Sequence, residues 1–341
     1  MNQPTRPRRG LRAMADLATP MALRVAATLR LADHVAAGRR TPEAIATACG
    51  VHSGALDRLL RHLVTIGLFT RDGSGAYATT ELGDQLRDDH PAGRRKWLDI
   101  TGAVGRGDLS FVDLAYSIRT GEPAYPVRYG TPFWDDLAAD PALSGTFDEL
   151  MDHHIDLDDD GVAEAYPWAD LGHVVDVGGG NGKLLSTLLT RHGGLRGTLV
   201  DLPGPAERAR KTLHDHGLAD RAEVRPGSFF DPLPPGAGGY ILSAIIHDWD
   251  DDSAAAVLRR CAEAATLSAA APGVVLVIEA VGADGETPDT AMDLRMLTYY
   301  GGAERGVTAI GALAGRAGLA VRRVWPVERG SFMSIVELGV R

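Results

Sequence analysis

Val174-Val175-Asp176-Val177-Gly178-Gly179-Gly180-Asn181-Gly182 is a short apolar, β-branched run that ends in a cluster of glycines. A run of this kind reads as a buried strand, and the glycines as the turn that carries the chain from that strand into a helix. Residues without side chains let the backbone approach a ligand closely there. Working outward, the same grammar recurs. Short strands are expected at His173 to Val177, Gly197 to Val200, Ala222 to Val224, Gly239 to Ser243 and Val274 to Ile278, with helical segments between them. A last apolar strand at Ser334 to Leu338 is expected to close the sheet edge. Strands and helices that alternate in this way predict a parallel, Rossmann-like α/β sheet.

The glycine spacing narrows the ligand. Gly178, Gly180 and Gly182 give G-x-G-x-G, whereas a dinucleotide fingerprint places its third glycine where this chain has Lys183. Nicotinamide chemistry is therefore disfavoured. Asp201 ends the next strand and projects from the same carboxyl edge, where a carboxylate can accept both hydroxyls of a ribose; a capping aspartate is the plainer alternative. After the third strand come Gly227-Ser228-Phe229-Phe230-Asp231, in which Phe229 reads equally as an adenine-flanking ring or a core aromatic.

His247 follows the strand Gly239 to Ser243 by a few residues, so it is expected at the same edge. Histidine suits general-base work because its pKa lies near working pH. A base needs an orienting partner on its other nitrogen. Glu279 ends the apolar strand Val274 to Ile278, an expensive place for a carboxylate without a partner. Glu304, next to Arg305, reads as a second partner or as half of a surface ion pair. The run Asp250-Asp251-Asp252 reads as a helix start and not as a metal site, so no metal is expected.

Upstream the pattern is different. Leu11 to Ala37 is strongly apolar at helical spacing, with Pro20 expected to divide it into two helices. Thr41 caps a helix that opens with Pro42 and Glu43, Ser53 is expected to cap the next, and Leu56, Leu59, Leu60 and Leu63 line one face of it. Two short strands around Asp72-Gly73-Ser74-Gly75 complete a winged-helix pattern. We expect a winged-helix domain over 1–90, a helical connecting and pocket-lining region over 91–165, and a catalytic domain over 166–341. The apolar excess of Leu11 to Ala37 predicts a homodimer.

With 341 residues and 45% apolar content the chain can bury a large core, and a net charge of -10 disfavours nucleic acid as a partner. Met21 to Ala37 is interrupted by Arg24, Arg30, Asp33 and His34, so no membrane span is expected, and no membrane partner. Cys49 and Cys261 stand alone and build neither a disulfide framework nor a zinc site. With no secretory signal, cytoplasmic residence is the expectation.

In their order along the chain, the Asp176 to Gly182 turn, Asp201-Leu202-Pro203, Gly227 to Pro232 and His247-Asp248-Trp249 resemble the small-molecule O-methyltransferases of plants and actinobacteria. Ser117 to Glu122, Gly227 to Pro232 and Met292 to Met296 resemble in particular the actinobacterial members that act on aromatic polyketides. The resemblance implies S-adenosylmethionine as cofactor, an N-terminal dimerisation domain, and methyl transfer to a phenolic hydroxyl of a naphthoate or another polyketide-derived aromatic. It implies that Asp176, Gly178 and Gly180 meet the methionine part and Asp201 the ribose, with Leu202, Ser228, Phe229 and Ser243 completing the cofactor set. Ser228 and Ser243 depart from the acid and the lysine that many members carry at these positions. His247 is implied as the base, bracketed by Glu279 and Glu304. Met151, His154, Met292 and Met296 are expected at the acceptor ring, and Arg12 and Arg295 at an acidic substituent, with ordinary core methionines and solvated arginines as the alternatives.

Two other readings remain at this stage. A winged-helix regulator that senses a ligand would need more than Arg58 and Arg61 on its recognition helix. An N-methyltransferase, or a scaffold that keeps the cofactor without transferring a methyl, would share the fold.

Overall fold

The computed structural model describes residues 10–152, 158–267, 272–282, 285–327 and 332–341. They divide into two units: residues up to Leu109 together with Pro141–Leu150, and Ser110–Asp140 together with Met151–Arg341. The region read from sequence as a separate connector, 91–165, is thus shared between the two.

In the first unit the helices Ala18–Thr28, Leu31–Ala36, Pro42–Cys49 and Ser53–Thr65 precede a two-stranded antiparallel wing, β1 (Phe69–Arg71) and β2 (Tyr77–Thr79). Leu31, Ile45, Leu60, Leu63, Phe69 and Tyr77 are fully buried and form its core. Thr41 caps as expected, its hydroxyl accepting from Ala44 N at 3.3 Å. Two expectations are corrected. Pro20 does not divide the first apolar segment: it sits in the opening turn of Ala18–Thr28, where no intrahelical N–H is needed, and the breaks fall between Met14 and Ala18 and at Arg30, whose φ is 52°. The next helix is capped by His52, whose Nδ1 accepts from Ala55 N at 3.2 Å, so that Ser53 is its first helical residue.

The second unit is built on a seven-stranded sheet of β3 (His173–Val177), β4 (Arg196–Asp201), β5 (Ala222–Pro226), β6 (Gly239–Ser243), β7 (Val274–Ala280), β8 (Leu319–Pro326) and β9 (Met333–Val340), ordered β5-β4-β3-β6-β7-β9-β8. The first five run parallel, while β9 is antiparallel to both β7 and β8. The last strand therefore does not close the edge: it lies between β7 and β8, a strand the sequence reading lacked. Alternation along each strand builds two cores. Val275 and Val277 of β7 face the helices Asp251–Thr266 and Val307–Arg316, and Leu276 and Ile278 face the helix Lys183–Arg191 on the other side. Because β4 and β6 leave β3 in opposite directions, the carboxyl end of β3 is the topological switch point where α/β sheets bind ligands. Among the described residues no helix is long and apolar enough to cross a membrane.

Candidate active site

The glycine turn leaves β3 at that switch point. Gly178 and Gly180 hold φ of +76° and +58°, a region that β-carbons disfavour. A β-carbon on Gly178 would also lie 2.5 Å from Ile245 Cδ1, so two constraints act on that position. Asp201 fastens the turn from β4: Oδ2 accepts from Gly180 N at 2.8 Å and Oδ1 from Leu202 N at 2.6 Å. Each carboxylate oxygen can accept more than one hydrogen bond, so this anchoring is compatible with a ribose contact. Asp176 is 1% exposed, and its Oδ2 has no hydrogen-bond partner. Burial, then Asp201 and Asp159, push its carboxyl up to about 7.

β6 delivers the base. After Ser243 the chain enters the left-handed region at Ala244, with φ of 52°, and Ala244 N donates to Ile278 O at 2.9 Å. For a non-glycine residue this conformation costs about 1–3 kcal/mol, and such strain collects at functional sites. It turns the chain into the short 3-10 helix Ile246–Asp248, which carries His247. Glu279, at the end of β7, holds that helix: Oε1 accepts from Ile246 N at 3.0 Å and from His247 N at 3.4 Å. Its other oxygen lies 3.0 Å from His247 Nδ1, and Glu304 Oε1 lies 3.1 Å from the same nitrogen. Both are ion-pair distances, with angles outside hydrogen-bond geometry. The Glu279 and Glu304 side chains are 3% and 2% exposed, that of His247 18%.

Two buried carboxylates on Nδ1 leave Nε2 as the nitrogen that can meet a substrate. Burial alone would lower the pKa of His247. The charges of Glu279 and Asp248, with Glu304 also beside Nδ1, outweigh burial and raise it well above the usual 6.5. Asp248 was missed as a site residue: its Oδ1 stands 3.5 Å from Nε2, and burial pushes its carboxyl up to about 7 against the opposing pull of His247. The sequence signal was its adjacency to His247, hidden within an acidic run.

The other expected residues fall as follows. Phe229 lies against the glycine turn, its ring carbon 3.4 Å from where a Gly178 β-carbon would stand, and packs edge-on to Trp249 at 5.8 Å. Ser228 Oγ accepts from Phe230 N at 3.2 Å, and Ser243 is half-buried at the end of β6. Leu202 is exposed and begins the helix Pro203–Asp215. Met292, Arg295 and Met296 share the helix Thr290–Tyr300, in which Met296 is buried and the other two are half-buried. Asp293 on that helix accepts from Glu304 N at 2.9 Å. Met151 is half-buried near the end of Pro141–Asp152. Arg12 is exposed on the short helix Leu11–Met14 of the first unit, and His154 lies outside the described residues. The sequence reading also missed a stack of rings: Trp134 lies parallel to Tyr300 at 5.1 Å and to Trp249 at 6.5 Å.

The site suits S-adenosylmethionine. Asp176 Oδ2 is a buried acceptor without a partner, a costly arrangement that the ammonium of a methionine moiety would relieve. Gly180 has open space where a side chain would stand. His247, Glu279 and Glu304 also place one ligand atom each within 4.8 Å of one another, a spacing that could hold a cation.

A ligand crevice at the switch of a parallel sheet, with an anchored glycine turn beside a carboxylate-bracketed histidine, defines a group-transfer enzyme. Residues 111–320 match the O-methyltransferase domain family, and residues 11–88 match the O-methyltransferase dimerisation domain. The chain belongs to the O-methyltransferase family and is an S-adenosylmethionine-dependent O-methyltransferase. It is 66% identical to the 2,7-dihydroxy-5-methyl-1-naphthoate 7-O-methyltransferase of Streptomyces carzinostaticus over 329 residues, which span 96% of this chain and 97% of that one. It is also 46% identical to the aclacinomycin 10-hydroxylase of Streptomyces purpurascens over 317 residues, 91% of this chain and 84% of that one. A crystal structure of an O-methyltransferase from neocarzinostatin biosynthesis, in complex with S-adenosylmethionine and 2-hydroxy-5-methyl naphthoic acid, superposes with a TM-score of 0.91 at 65% identity, covering 97% of this chain and 99% of that one.

Proposed function

We propose that this enzyme methylates a phenolic hydroxyl of a naphthoate or a related polyketide-derived aromatic acid, with His247 as general base. The observation that carries the reading is the pair of buried carboxylates on His247 Nδ1, which orients the ring and leaves Nε2 for the acceptor. The naphthoate 7-O-methyltransferase at 66% identity supports the acceptor class.

When bound, S-adenosylmethionine supplies an electrophilic methyl on a sulfonium. Asp176, Gly178 and Gly180 receive the methionine end, and Asp201 and Leu202 the ribose. Phe229 flanks the adenine, with Ser228 and Ser243 at its edge. Nε2 of His247 takes the phenolic proton as the oxygen bonds to the methyl carbon and the carbon–sulfur bond breaks, giving the methyl ether, S-adenosylhomocysteine and an imidazolium. Glu279 and Glu304 stabilise that cation. Met151, Met292 and Met296 line the acceptor ring, and Arg295 meets its carboxylate. No metal is required, since the base itself removes the proton. The protein works as a cytoplasmic homodimer built on its dimerisation domain, without nucleic acid or membrane partners. A monomeric mass by light scattering at micromolar concentration would contradict the assembly.

The test is a screen of hydroxylated naphthoates, benzoates and other polyketide aromatics with isotope-labelled S-adenosylmethionine, read by mass spectrometry, beginning with 2,7-dihydroxy-5-methyl-1-naphthoate. Methyl ether formation on a naphthoate is expected, and His247→Ala should slow it by about 10²–10⁴-fold, the usual contribution of a general base. Unchanged turnover in that variant would overturn the base, and methylation of an amine but of no hydroxyl in the screen would favour an amine acceptor, which needs less help in losing a proton.

A further inference from the structure

We propose that Arg305 is a positioning residue for methyl transfer, locking the segment that carries His247 to the segment that carries Glu304. Its side chain is 5% exposed. Nη1 donates to Ile246 O at 2.6 Å and to Ala303 O at 3.2 Å. Nη2 donates to Trp249 O at 2.7 Å and to Asp251 Oδ1 at 2.9 Å, and Nε reaches the same carboxylate oxygen at 3.1 Å. A guanidinium has five N–H donors in a rigid fork, and here each has an acceptor.

The acceptors matter more than their number. Ile246 and Trp249 flank His247 and Asp248, so the guanidinium spans the base segment from both sides. Ala303 is the residue before Glu304. One planar group therefore fixes the separation between the imidazole and one of its two carboxylates, and Ala303 N closes the connection by donating to His247 O at 2.9 Å. Glu279 cannot do this alone, because it is bonded to the base segment and not to the Glu304 segment. A lysine at 305 would keep the charge but offer a single point of attachment in place of the fork. Without the clamp the ring keeps its neighbours but loses the alignment on which proton transfer depends, where small misplacements carry large rate costs.

This inference rests on His247 being the base, so the experiment separates the two. R305K is made in the wild-type and His247→Ala backgrounds, and turnover of 2,7-dihydroxy-5-methyl-1-naphthoate, or of the best acceptor from the screen, is followed by mass spectrometry. In the wild-type background kcat should fall about tenfold, less than the loss of the base itself, with both KM values and the calorimetric affinity for S-adenosylhomocysteine nearly unchanged. In the His247→Ala background the same substitution should cost almost nothing more, because residues that act through one another are not additive. Asp251→Asn, at an exposed carboxylate that accepts two of the five bonds, should show the same pattern more weakly and serves if R305K fails to fold. An equal loss in both backgrounds, a loss carried by KM alone, or an intact kcat would overturn the clamp. A His247→Ala enzyme of full activity would instead overturn the base.

Discussion

Glu279 grips His247 twice, its Oε1 accepting from the histidine's backbone N at 3.4 Å while its Oε2 stands 3.0 Å from ring Nδ1. One carboxylate thus sets where the residue sits and how its ring is charged. Burial works against the imidazolium and the carboxylates work for it; the carboxylates win, and the pKa lies well above 6.5. The active base is the neutral ring. Catalysis should therefore rise with pH through an apparent pKa above the ordinary histidine value, which a pH profile of kcat/KM reads directly. Glu279→Gln removes a charge that favours the imidazolium, so the acid limb should move down while the plateau falls, less than on loss of the base. A limb that stays in place in this variant would mean another group controls it.

Asp201 links cofactor recognition to the shape of the glycine turn, since the oxygen that holds Gly180 N belongs to the carboxylate assigned to the ribose. Asp201→Ala should remove both roles. Charge-assisted hydrogen bonds contribute about 1.5–3 kcal/mol each, so affinity for S-adenosylhomocysteine by calorimetry should drop by about 10- to 100-fold. Asp201→Asn should lose less, because its amide oxygen can still accept. Undiminished binding in the alanine variant would remove Asp201 from the site.

The parallel strands were legible because β-branched runs bounded by glycine or charge have few other readings, and the residues at their carboxyl ends, Asp176, Asp201 and Glu279, followed from the sheet. β8 was not legible. Arg322 and Arg323 interrupt its alternation, and the register against β9 shifts between Val321 and Arg323. The turn at Ala244 was hidden too, since alanine gives no sign of a positive φ. Arg305 looked like the surface partner of Glu304, whereas burial sends its guanidinium to backbone carbonyls. A sequence shows which groups stand at an edge, but not which way a loop turns them once there.

The spacing of His247, Glu279 and Glu304 makes a metal requirement a question that can be put to experiment. A cation on His247 Nδ1 would compete with the two carboxylates for the ring and lower its basicity. If the three groups act as base and orienting pair, activity should survive dialysis against a chelator. Activity that disappears and returns on adding magnesium would show that the carboxylates serve a cation, which would then acidify the phenol in place of the histidine.

The contact between the base segment and the Glu304 segment leaves no room at Gly302. A β-carbon there would stand 2.1 Å from His247 O and 2.6 Å from Asp248 C, both backbone atoms that cannot swing aside. Gly302→Ala must therefore push the base segment away from Glu304, at an overpacking cost of about 1–3 kcal/mol. Both the melting temperature and kcat should fall. Gly145 provides the control, since it lies exposed within the helix Pro141–Asp152 with nothing within 4 Å of its would-be β-carbon. Gly145→Ala should raise stability by about 0.4–1 kcal/mol through reduced freedom of the unfolded chain, with kcat unchanged. Thermal melts and initial rates on the two variants side by side check both signs. A Gly302→Ala enzyme with wild-type kcat would show that the distance between the two segments does not limit proton transfer.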